Sequence, residues 1–332
     1  MPFFLRSHLR LPALLAVMLV AGGCGRNDAA SSGGAAGEGN RRALKLAFVS
    51  NTAATFWTLA RRGCEAAKAD LGNVEVDFRI PATGSAAEQQ QLLDDLVARG
   101  VDGIAVSAID PRNQTEFLNK IAAATLLITC DSDAPDSRRV CYIGTDNFQA
   151  GIEAGKLIKE ALPDGGSIMV FVGFADAQNA TDRFNGIKHE LAGSNVKILD
   201  LRTDDTDLVR AQKNAEDALV KHPDIAMLVG LYDYNGPAIL NAVRRAGAIG
   251  RVKIVCFDER EETLAGVARG EIYGTVVQQP FEFGRQAIVK MAQYLRGEKT
   301  ALAGERQIVP TRSLKQPDIA EFQADLRRLL EQ

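Results

Sequence analysis

Acidic, amide and arginine side chains stand beside aromatic ones in several short segments, a combination suited to binding a polyhydroxylated molecule. Carboxylates, amides and a guanidinium form charge-assisted hydrogen bonds with hydroxyl groups, and an aromatic ring covers the apolar face of a sugar ring. The segments are 51–57, 107–111, 131–133, 145–147, 174–183, 232–235 and 257–259. Their composition predicts recognition of a sugar or a related polyol.

Support for catalysis is weak. Asp131-Ser-Asp133 fits the acid-x-acid pattern with which glycosyltransferases hold a divalent metal and a sugar nucleotide, but such pairs occur by chance in many loops. The chain has no glycine-rich phosphate loop, GxSxG elbow or HExxH pair. His189 and His222 lie in segments rich in charged residues, where a solvated position is the usual outcome. We therefore predict a protein without catalytic residues, metal or cofactor.

The cysteines do not indicate a metal site. Besides Cys24 they are Cys64, Cys130, Cys141 and Cys256, without CxxC spacing and without a cysteine and histidine cluster. In an oxidising compartment Cys130 and Cys141 could pair across a short loop. The alternative is that all four are small, buried, apolar side chains.

The elements that must position the polar segments follow a repeated plan. From residue 44 onward, apolar β-branched runs alternate with segments of helical period, which is typical of βα units and a parallel sheet. The first predicted strands are 44–50, 74–79, 103–107, 126–130 and 140–144, with helices at 56–71, 86–99, 114–124 and from 148. Strands at 167–172, 196–201, 227–230 and 253–256 follow the first four at roughly 125 residues' distance. This plan predicts two similar doubly wound α/β lobes.

The polar segments follow the predicted strands directly. In an open parallel sheet, ligands bind outside the carboxyl ends of the strands, where loops meet helix N-termini. We therefore expect the polar and aromatic groups of both lobes to converge on a single cleft.

The beginning of the chain is predicted to be an export signal, residues 1–23. A basic start precedes an apolar stretch at 11–20 and small residues at 21–23. That stretch is far shorter than the roughly 20 residues of a membrane-spanning helix. Cys24 follows two glycines, as in bacterial lipoprotein signals, although Ala21 stands where those usually carry leucine. Ordinary cleavage is the alternative to lipidation. Residues 24–43 would then form a lipidated, flexible tether.

The polar segments and their neighbouring strands resemble the type I periplasmic binding proteins, in particular the ribose- and galactose-binding group that serves ABC sugar importers. The resemblance extends from residue 44 to about 314. The matching segments are LAFVSNTAATFW, GVDGIAVSAIDP, LLITCDSDAP, YIGTDNFQAG, NATDRFNGI, IVCFDE and TVVQQP. Each match alone is weak, but their order and spacing together are specific.

The resemblance implies a set of ligand-binding residues. Phe56 and Trp57 are similar to rings that sandwich the sugar, and Arg183 is similar to an arginine that grips ring hydroxyls. Asp131 and Asp258 match two sugar-binding carboxylates. The whole set is Asn51, Phe56, Trp57, Ser107, Asp131, Ser132, Asn179, Arg183, Tyr232, Asp258 and Gln278.

Two departures from the family pattern leave the sugar's identity open. Tyr232 stands where many relatives have a ligand-binding asparagine, with Asp233 and Asn235 close by, and the loop at 51–55 lacks the amide that often precedes the aromatic pair. Hydroxyl stereochemistry is read by such groups.

Several of these residues have a purely structural alternative. Phe56 and Trp57 could be core residues, and the strand-to-loop acids Asp131 and Asp258 could cap helices. Ser107 could merely end its strand. For the other candidates the alternatives are local: Arg183 could pair with Asp176 or Asp182, Asn179 could cap the following helix, and at least one of Asp133, Asp146 and Asp233 is expected to serve only a turn or hinge.

The resemblance also implies the architecture and the partners. The chain would cross between lobes near residues 145, 278 and 304–308, giving a first lobe of 44–145 with 279–304 and a second of 146–278 with 305–332. Hinged closure would bury a small sugar or polyol and present the protein to an ABC permease. The expected protein is a monomeric lipoprotein of the periplasm or cell surface, anchored to the membrane.

The same two-lobed architecture can serve outputs other than import. A sensor subunit reporting to a chemotaxis or kinase partner remains open, because one closed state can serve either partner. A nucleic-acid partner is not expected, because the formal net charge is −3 and no basic run stands out. A DNA-binding repressor would further need an N-terminal helix pair where this chain has an export signal.

Overall fold

A computed structural model describes residues 42–53 and 56–331. The predicted export signal, Cys24 and nearly all of the tether lie outside the described residues. The strands are β1 (Leu44–Val49), β2 (Val74–Arg79), β3 (Gly103–Val106), β4 (Leu126–Cys130), β5 (Tyr142–Gly144), β6 (Gly166–Val172), β7 (Val196–Thr203), β8 (Met227–Gly230), β9 (Lys253–Phe257), β10 (Gly274–Val277), β11 (Arg306–Ile308) and β12 (Arg312–Leu314). The helices are α1 (Phe56–Leu71), α2 (Ala86–Ala98), α3 (Pro111–Ala124), α4 (Asn147–Ala161), α5 (Gln178–Leu191), α6 (Leu208–Lys221), α7 (Asn235–Arg245), α8 (Glu261–Ala268), α9 (Pro280–Leu295) and α10 (Ile319–Glu331), with 3₁₀ helices at Lys299–Leu302 and Gln316–Asp318.

The strands form two sheets of six. The first has the order β11-β5-β4-β3-β1-β2, with every pairing parallel. The second has the order β12-β10-β9-β8-β6-β7, in which only the pairing of β12 with β10 is antiparallel. The prediction of two similar doubly wound α/β lobes is confirmed.

Helices cover both faces of each sheet, which is why the central strands are apolar throughout. In the first lobe one core lies between the sheet and α1 with α9, and the other lies against α2 and α3. In the second lobe α4 and α5 cover one face, while α6, α7, α8 and α10 cover the other. The predicted strands were therefore recognisable because they are apolar runs, and the helices because only one face of each is apolar.

Glycines allow the closest helix contacts in each lobe. A Cβ built on Gly63 of α1 would lie 1.9 Å from the Phe281 carbonyl oxygen, and one on Gly284 of α9 would lie 1.9 Å from that of Ala60. In the second lobe, a Cβ on Gly151 of α4 would lie 2.1 Å from the Arg183 carbonyl oxygen. These backbones approach so closely that the helix position, and with it the position of Arg183, depends on the missing side chain.

The chain crosses between the lobes after β5, after β10 and after β11. The predicted last crossing at 304–308 includes β11, which pairs in parallel with β5 and therefore belongs to the first sheet, four residues beyond the predicted lobe boundary at 304. The first lobe thus continues to residue 308, and the chain enters the second sheet at β12. Sequence pattern missed this strand because it has three residues, begins and ends exposed, and carries no apolar run.

The four cysteines after Cys24 are buried free thiols: Cys64, Cys130, Cys141 and Cys256. Three of them pack in the first lobe's core beside α1 and α9, and Cys256 packs in the second lobe. Burial raises the pKa of the Cys256 thiol to about 12, so it stays protonated and apolar. They act as small core side chains, which was one of the two alternatives.

Candidate ligand-binding cleft

A cavity of about 500 Å³ lies between the lobes, at the carboxyl ends of the strands of both sheets. Its volume falls in the range of ordinary small-molecule sites, about 300–1,000 Å³. Ten of the eleven predicted residues line it: Asn51, Phe56, Trp57, Asp131, Ser132, Asn179, Arg183, Tyr232, Asp258 and Gln278. Six of the seven polar segments therefore converge on one cleft, and only 145–147 contributes no residue to its lining.

Phe56 and Trp57 begin α1 and form an apolar wall of the cavity. Their rings meet edge to face with centroids 5.1 Å apart, and Trp57 also packs against Phe48 of β1. Trp57 is only 2% exposed, and its Nε1 donates a hydrogen bond of 3.2 Å to Asn51 Oδ1. The core and ligand roles considered for this pair are thus compatible, because the same rings pack against the first lobe's core and line the cavity.

Asp131 follows β4 and brings a carboxylate to the first lobe's side of the cavity. Its backbone has a φ of 61°, a left-handed conformation that turns the chain sharply at the strand end. Ser107 Oγ donates to Asp131 Oδ2 at 2.9 Å, and Asn51 Nδ2 donates to the same oxygen at 3.3 Å. Ser107, which does not line the cavity, therefore holds the carboxylate that does.

Burial raises the pKa of Asp131, while Arg183 of the opposite lobe and the Ser107 and Asn51 hydrogen bonds act against that rise. A carboxylate of one lobe and a guanidinium of the other are thus electrostatically coupled across the cavity.

Two other candidate acids have structural roles. Asp133 accepts hydrogen bonds from Thr129 Oγ1 and from Arg139, whose Nη2 lies 2.7 Å from Asp133 Oδ2. Asp146 caps α4 by accepting from the Gln149 amide at 3.0 Å. Neither lines the cavity. Asp131 and Asp133 therefore do not form the acid-x-acid pair of a metal-dependent glycosyltransferase. Asp131 lines the cavity, whereas Asp133 forms an ion pair with Arg139.

Arg183 projects from α5 and is 2% exposed. Its Nε donates to Asn147 Oδ1 at 2.9 Å and its Nη1 to the Leu231 carbonyl at 2.7 Å. The guanidinium carbon lies 4.6 Å from the centroid of the Phe257 ring, a cation–π contact. Among the described residues these are its only hydrogen bonds, so Nη2 is available to a ligand in the cavity that Arg183 lines.

The local alternatives for this segment do not hold. Arg183 forms no ion pair with Asp176 or Asp182 among the described residues. Asn179 does not cap α5, because Ala177 occupies the N-cap position. The Asn179 side-chain oxygen accepts a hydrogen bond from the Ala180 amide at 2.8 Å, and Asn179 itself faces the cavity.

Tyr232 lies two residues after the end of β8, where the sequence departs from the family pattern. Its hydroxyl donates to Asn179 Oδ1 at 3.4 Å, and its backbone amide donates to Asn235 Oδ1 at 3.0 Å. Asn235 is buried and bonds Asp204 at 3.1 Å, so the nearby amide supports the loop instead of lining the cavity. Asp233 does line it, paired with Arg260 at 2.7 Å.

Asp258 occupies in the second lobe the place that Asp131 has in the first. It follows β9, has a φ of 68°, and accepts a hydrogen bond of 2.9 Å from Gln278 Nε2. The other amide atom, Gln278 Oε1, is buried and has no hydrogen-bond partner among the described residues. An oxygen in that state is a ready acceptor for a ligand hydroxyl, because a buried polar atom without a partner is costly.

The pKa of Asp258 is raised to about 7, chiefly by burial, with smaller contributions from the Coulomb interactions with Asp233 and Asp131. Arg183 and the Gln278 hydrogen bond act in the opposite direction. Asp258 therefore changes charge near neutral pH.

We expect ligand affinity to increase as the pH rises from about 6 to 8. The ionised carboxylate accepts stronger hydrogen bonds from ligand hydroxyls than the neutral acid does, so binding favours the form that predominates above the pKa of about 7. Calorimetry at several pH values should show this slope, and the Asp258→Asn variant should bind more weakly with a flatter slope. Equal slopes in the two proteins would assign the titration to another group.

The prediction from sequence omitted several polar residues of the cavity. Thr83, Asp205, Thr206 and Arg260 also line it. Asp205 and Thr206 follow β7, which extends to Thr203, beyond the predicted end at 201. The same rule would have found Thr83, Asp205 and Thr206, had it been applied after β2 and β7. Arg260 lies one residue beyond the predicted segment at 257–259.

Within residues 42–53 and 56–331, no group of three or more His, Cys, Asp or Glu side chains is arranged to hold a metal ion. In the same part of the chain, no helix combines the length and apolarity needed to cross a membrane.

Comparison with known proteins gives relatives over most of the chain. The ribose import binding protein RbsB of Haemophilus influenzae is 27% identical over 217 residues, covering 64% of this chain and 73% of that protein. The D-allose-binding periplasmic protein of Escherichia coli is 26% identical over 250 residues, covering 71% and 79%. A solved ABC transporter solute-binding protein from Burkholderia graminis, in complex with D-arabinose, superposes with a TM-score of 0.79 at 28% identity, covering 84% and 97%.

A family model described as the periplasmic binding protein domain matches residues 46–299. This match extends from β1 to the end of α9, so it includes ten of the twelve strands and the segments that line the cleft. The resemblance inferred from the cleft segments is thereby confirmed: the chain belongs to the periplasmic binding protein domain family.

Proposed function

We propose that this protein is an extracytoplasmic solute-binding receptor of an ABC importer, which binds a small sugar or polyol in the cleft. The observation that carries the proposal is the arrangement of Asp131, Asp258 and Arg183 around one cavity whose wall includes the rings of Phe56 and Trp57. Charged groups on both lobes can bond several hydroxyls at once, and the rings can cover an apolar sugar face.

The names of the relatives support the same class of ligand. They bind ribose, allose or arabinose, all small sugars, and two of them are named as parts of import or ABC transport systems. Each of these relatives is named as a binding protein. We therefore propose binding without catalysis, with the ligand stabilising the closed arrangement of the lobes by its preference for it.

A thermal-shift screen over pentoses, hexoses, polyols and inositols tests the proposal. At a concentration of 100 times Kd, a ligand stabilises the folded protein by about 2.7 kcal/mol. Lobes of this size should then melt roughly 5–10 °C higher. The shift should persist in the presence of a metal chelator. If every free sugar and polyol leaves the melting temperature unchanged, while a sugar nucleotide with a divalent metal raises it, the receptor proposal fails.

Import and sensing are separated by a genetic experiment. If the protein serves import, deleting the neighbouring permease genes should abolish uptake of the labelled ligand found in the screen. Uptake that continues unchanged, with loss of a ligand-dependent response in the deletion of this protein, would indicate the sensor output.

We further propose that residues 1–23 are removed on export and that Cys24 is lipidated, so that residues up to 43 tether a monomeric receptor to the membrane. The support is the sequence of basic, apolar and small residues before Cys24. Labelled fatty acid should enter the wild-type protein in its native host and not the Cys24→Ala variant. Equal labelling of both would place the modification elsewhere.

A further inference from the structure

A second cavity, of about 180 Å³, lies beside the crossing between β10 and α9. We call it the hinge pocket and define it by Leu59, Glu259, Phe281, Phe322, Leu326 and Leu329. Leu59 and Phe281 come from helices of the first lobe, whereas Glu259 and the residues of α10 come from the second. The wall is mostly apolar, with two glutamines and four charged side chains as its polar groups, a composition typical of a small-molecule site.

Glu259 is the unusual member of this wall. It directly follows Asp258, yet Asp258 lines the cleft and Glu259 lines the hinge pocket. The residue is 9% exposed, and its Oε2 has no hydrogen-bond partner among the described residues. A buried carboxyl oxygen without a partner destabilises the folded protein. The site therefore lacks a hydrogen-bond donor that would lower this cost.

The charges around Glu259 favour a positive donor. Glu282 and Asp325 also line the hinge pocket, and Arg312 of its wall lies over the ring of Phe322 at 5.8 Å. Burial raises the pKa of Glu259 well above its usual range, and the Coulomb interactions with Asp258 and Asp233 add to the rise. An ammonium group beside Glu259 would offset both effects, since it compensates the charge and donates hydrogen bonds.

The size of the hinge pocket limits what it can hold. An apolar protein cavity of about 150 Å³ accepts a benzene ring, so 180 Å³ leaves room for one ring and a short polar arm. We propose that the hinge pocket is a second ligand site, which takes a small primary amine with an aromatic or short aliphatic body. Its ammonium group binds Glu259, and its body packs between the rings and leucines of the two lobes.

Benzylamine and benzyl alcohol are matched probes, because they share the ring and differ in the charged donor. In calorimetry on the ligand-free protein, benzylamine should bind saturably and at least about 10-fold more tightly than benzyl alcohol, the ratio given by one charge-assisted hydrogen bond. Glu259→Gln should remove this preference. Glu262→Gln, an exposed glutamate at the start of α8, is the control and should bind as the wild type does.

A second variant tests the hinge pocket without changing Glu259, in case Glu259→Gln does not fold. Leu329 lies half-buried near the end of α10, so Leu329→Trp should fill the hinge pocket without disturbing the sheets. This variant should bind neither probe. The proposal is overturned if the wild type binds neither probe or both equally, or if the benzylamine affinity survives either Glu259→Gln or Leu329→Trp.

Both lobes supply walls of the hinge pocket, so an occupant favours the arrangement in which the cleft residues also converge. By linkage, saturating benzylamine should tighten binding of the cleft ligand by at least about 5-fold. This step rests on the proposed function, whereas benzylamine binding itself is measured without any sugar. An unchanged or weaker affinity for the cleft ligand would overturn the coupling.

Discussion

Replacing Arg183 by methionine is expected to weaken binding of the cleft ligand by about 1.5–3 kcal/mol, which is roughly 10- to 150-fold in Kd. Methionine keeps much of the packing against Phe257 but removes the charged donor. Losing the guanidinium should also raise the pKa of Asp131 and Asp258, because Arg183 lowers the pKa of both carboxyls. Both would then be neutral over more of the pH range and would bind hydroxyls more weakly.

Calorimetry with the ligand found in the screen checks this prediction. Arg245→Met is the matched control, since Arg245 lies exposed at the end of α7 and, among the residues that the structure describes, pairs only with Glu216. It should leave the affinity unchanged and cost little stability. Wild-type affinity in the Arg183→Met protein, with the control also unchanged, would remove Arg183 from the site.

Replacing Arg139 by methionine is expected to lower the free energy of unfolding by about 3–5 kcal/mol, the usual cost of removing one partner of a buried ion pair. The Arg139 side chain is 3% exposed and that of Asp133 is 15% exposed. Arg139 Nη1 also donates to the Glu305 carbonyl at 3.1 Å, just before β11. One arginine thus ties the loop that follows Asp131 to the segment that leads into β11.

Denaturant unfolding of single and double variants tests whether the unpaired Asp133 carboxylate causes the predicted loss of stability. Asp133→Leu combined with Arg139→Met removes both charges, and the double variant should be clearly more stable than Arg139→Met alone. If the double variant is as unstable as the single one, the loss comes from packing and not from an unpaired carboxylate.

The two lobes contribute to the cleft in a nearly symmetric way. In each, the strand at an equivalent place in the sheet, β4 or β9, ends in an aspartate with a left-handed backbone, Asp131 or Asp258. Each carboxylate is held by a neighbouring side chain, Ser107 or Gln278. Arg183 lies close enough to both acids to lower their pKa. A ligand between the lobes can therefore bond one carboxylate on each side.

Much of this fold could be predicted from the sequence because its elements are encoded locally. Strands such as β2, β4 and β8 are short apolar or alternating runs, and their predicted ends match those observed. Helix α3 starts three residues before its predicted start, because Asp110 and Pro111 supply a cap and a first helical residue that an apolar pattern does not show. The cleft segments followed from the same reading, since parallel strands bring their carboxyl ends to one edge.

The sequence by itself therefore determined the βα order, the two lobes and the segments that face the cleft. Only the tertiary structure decided which side chains of those segments point into it. Asp131 lines the cleft and Asp133 binds Arg139, while the adjacent Asp258 and Glu259 line different cavities. The physical reason is that side-chain direction at a strand end depends on one or two backbone angles and on partners distant in sequence. The pairing of β11 with β5 was likewise decided by a partner more than a hundred residues away.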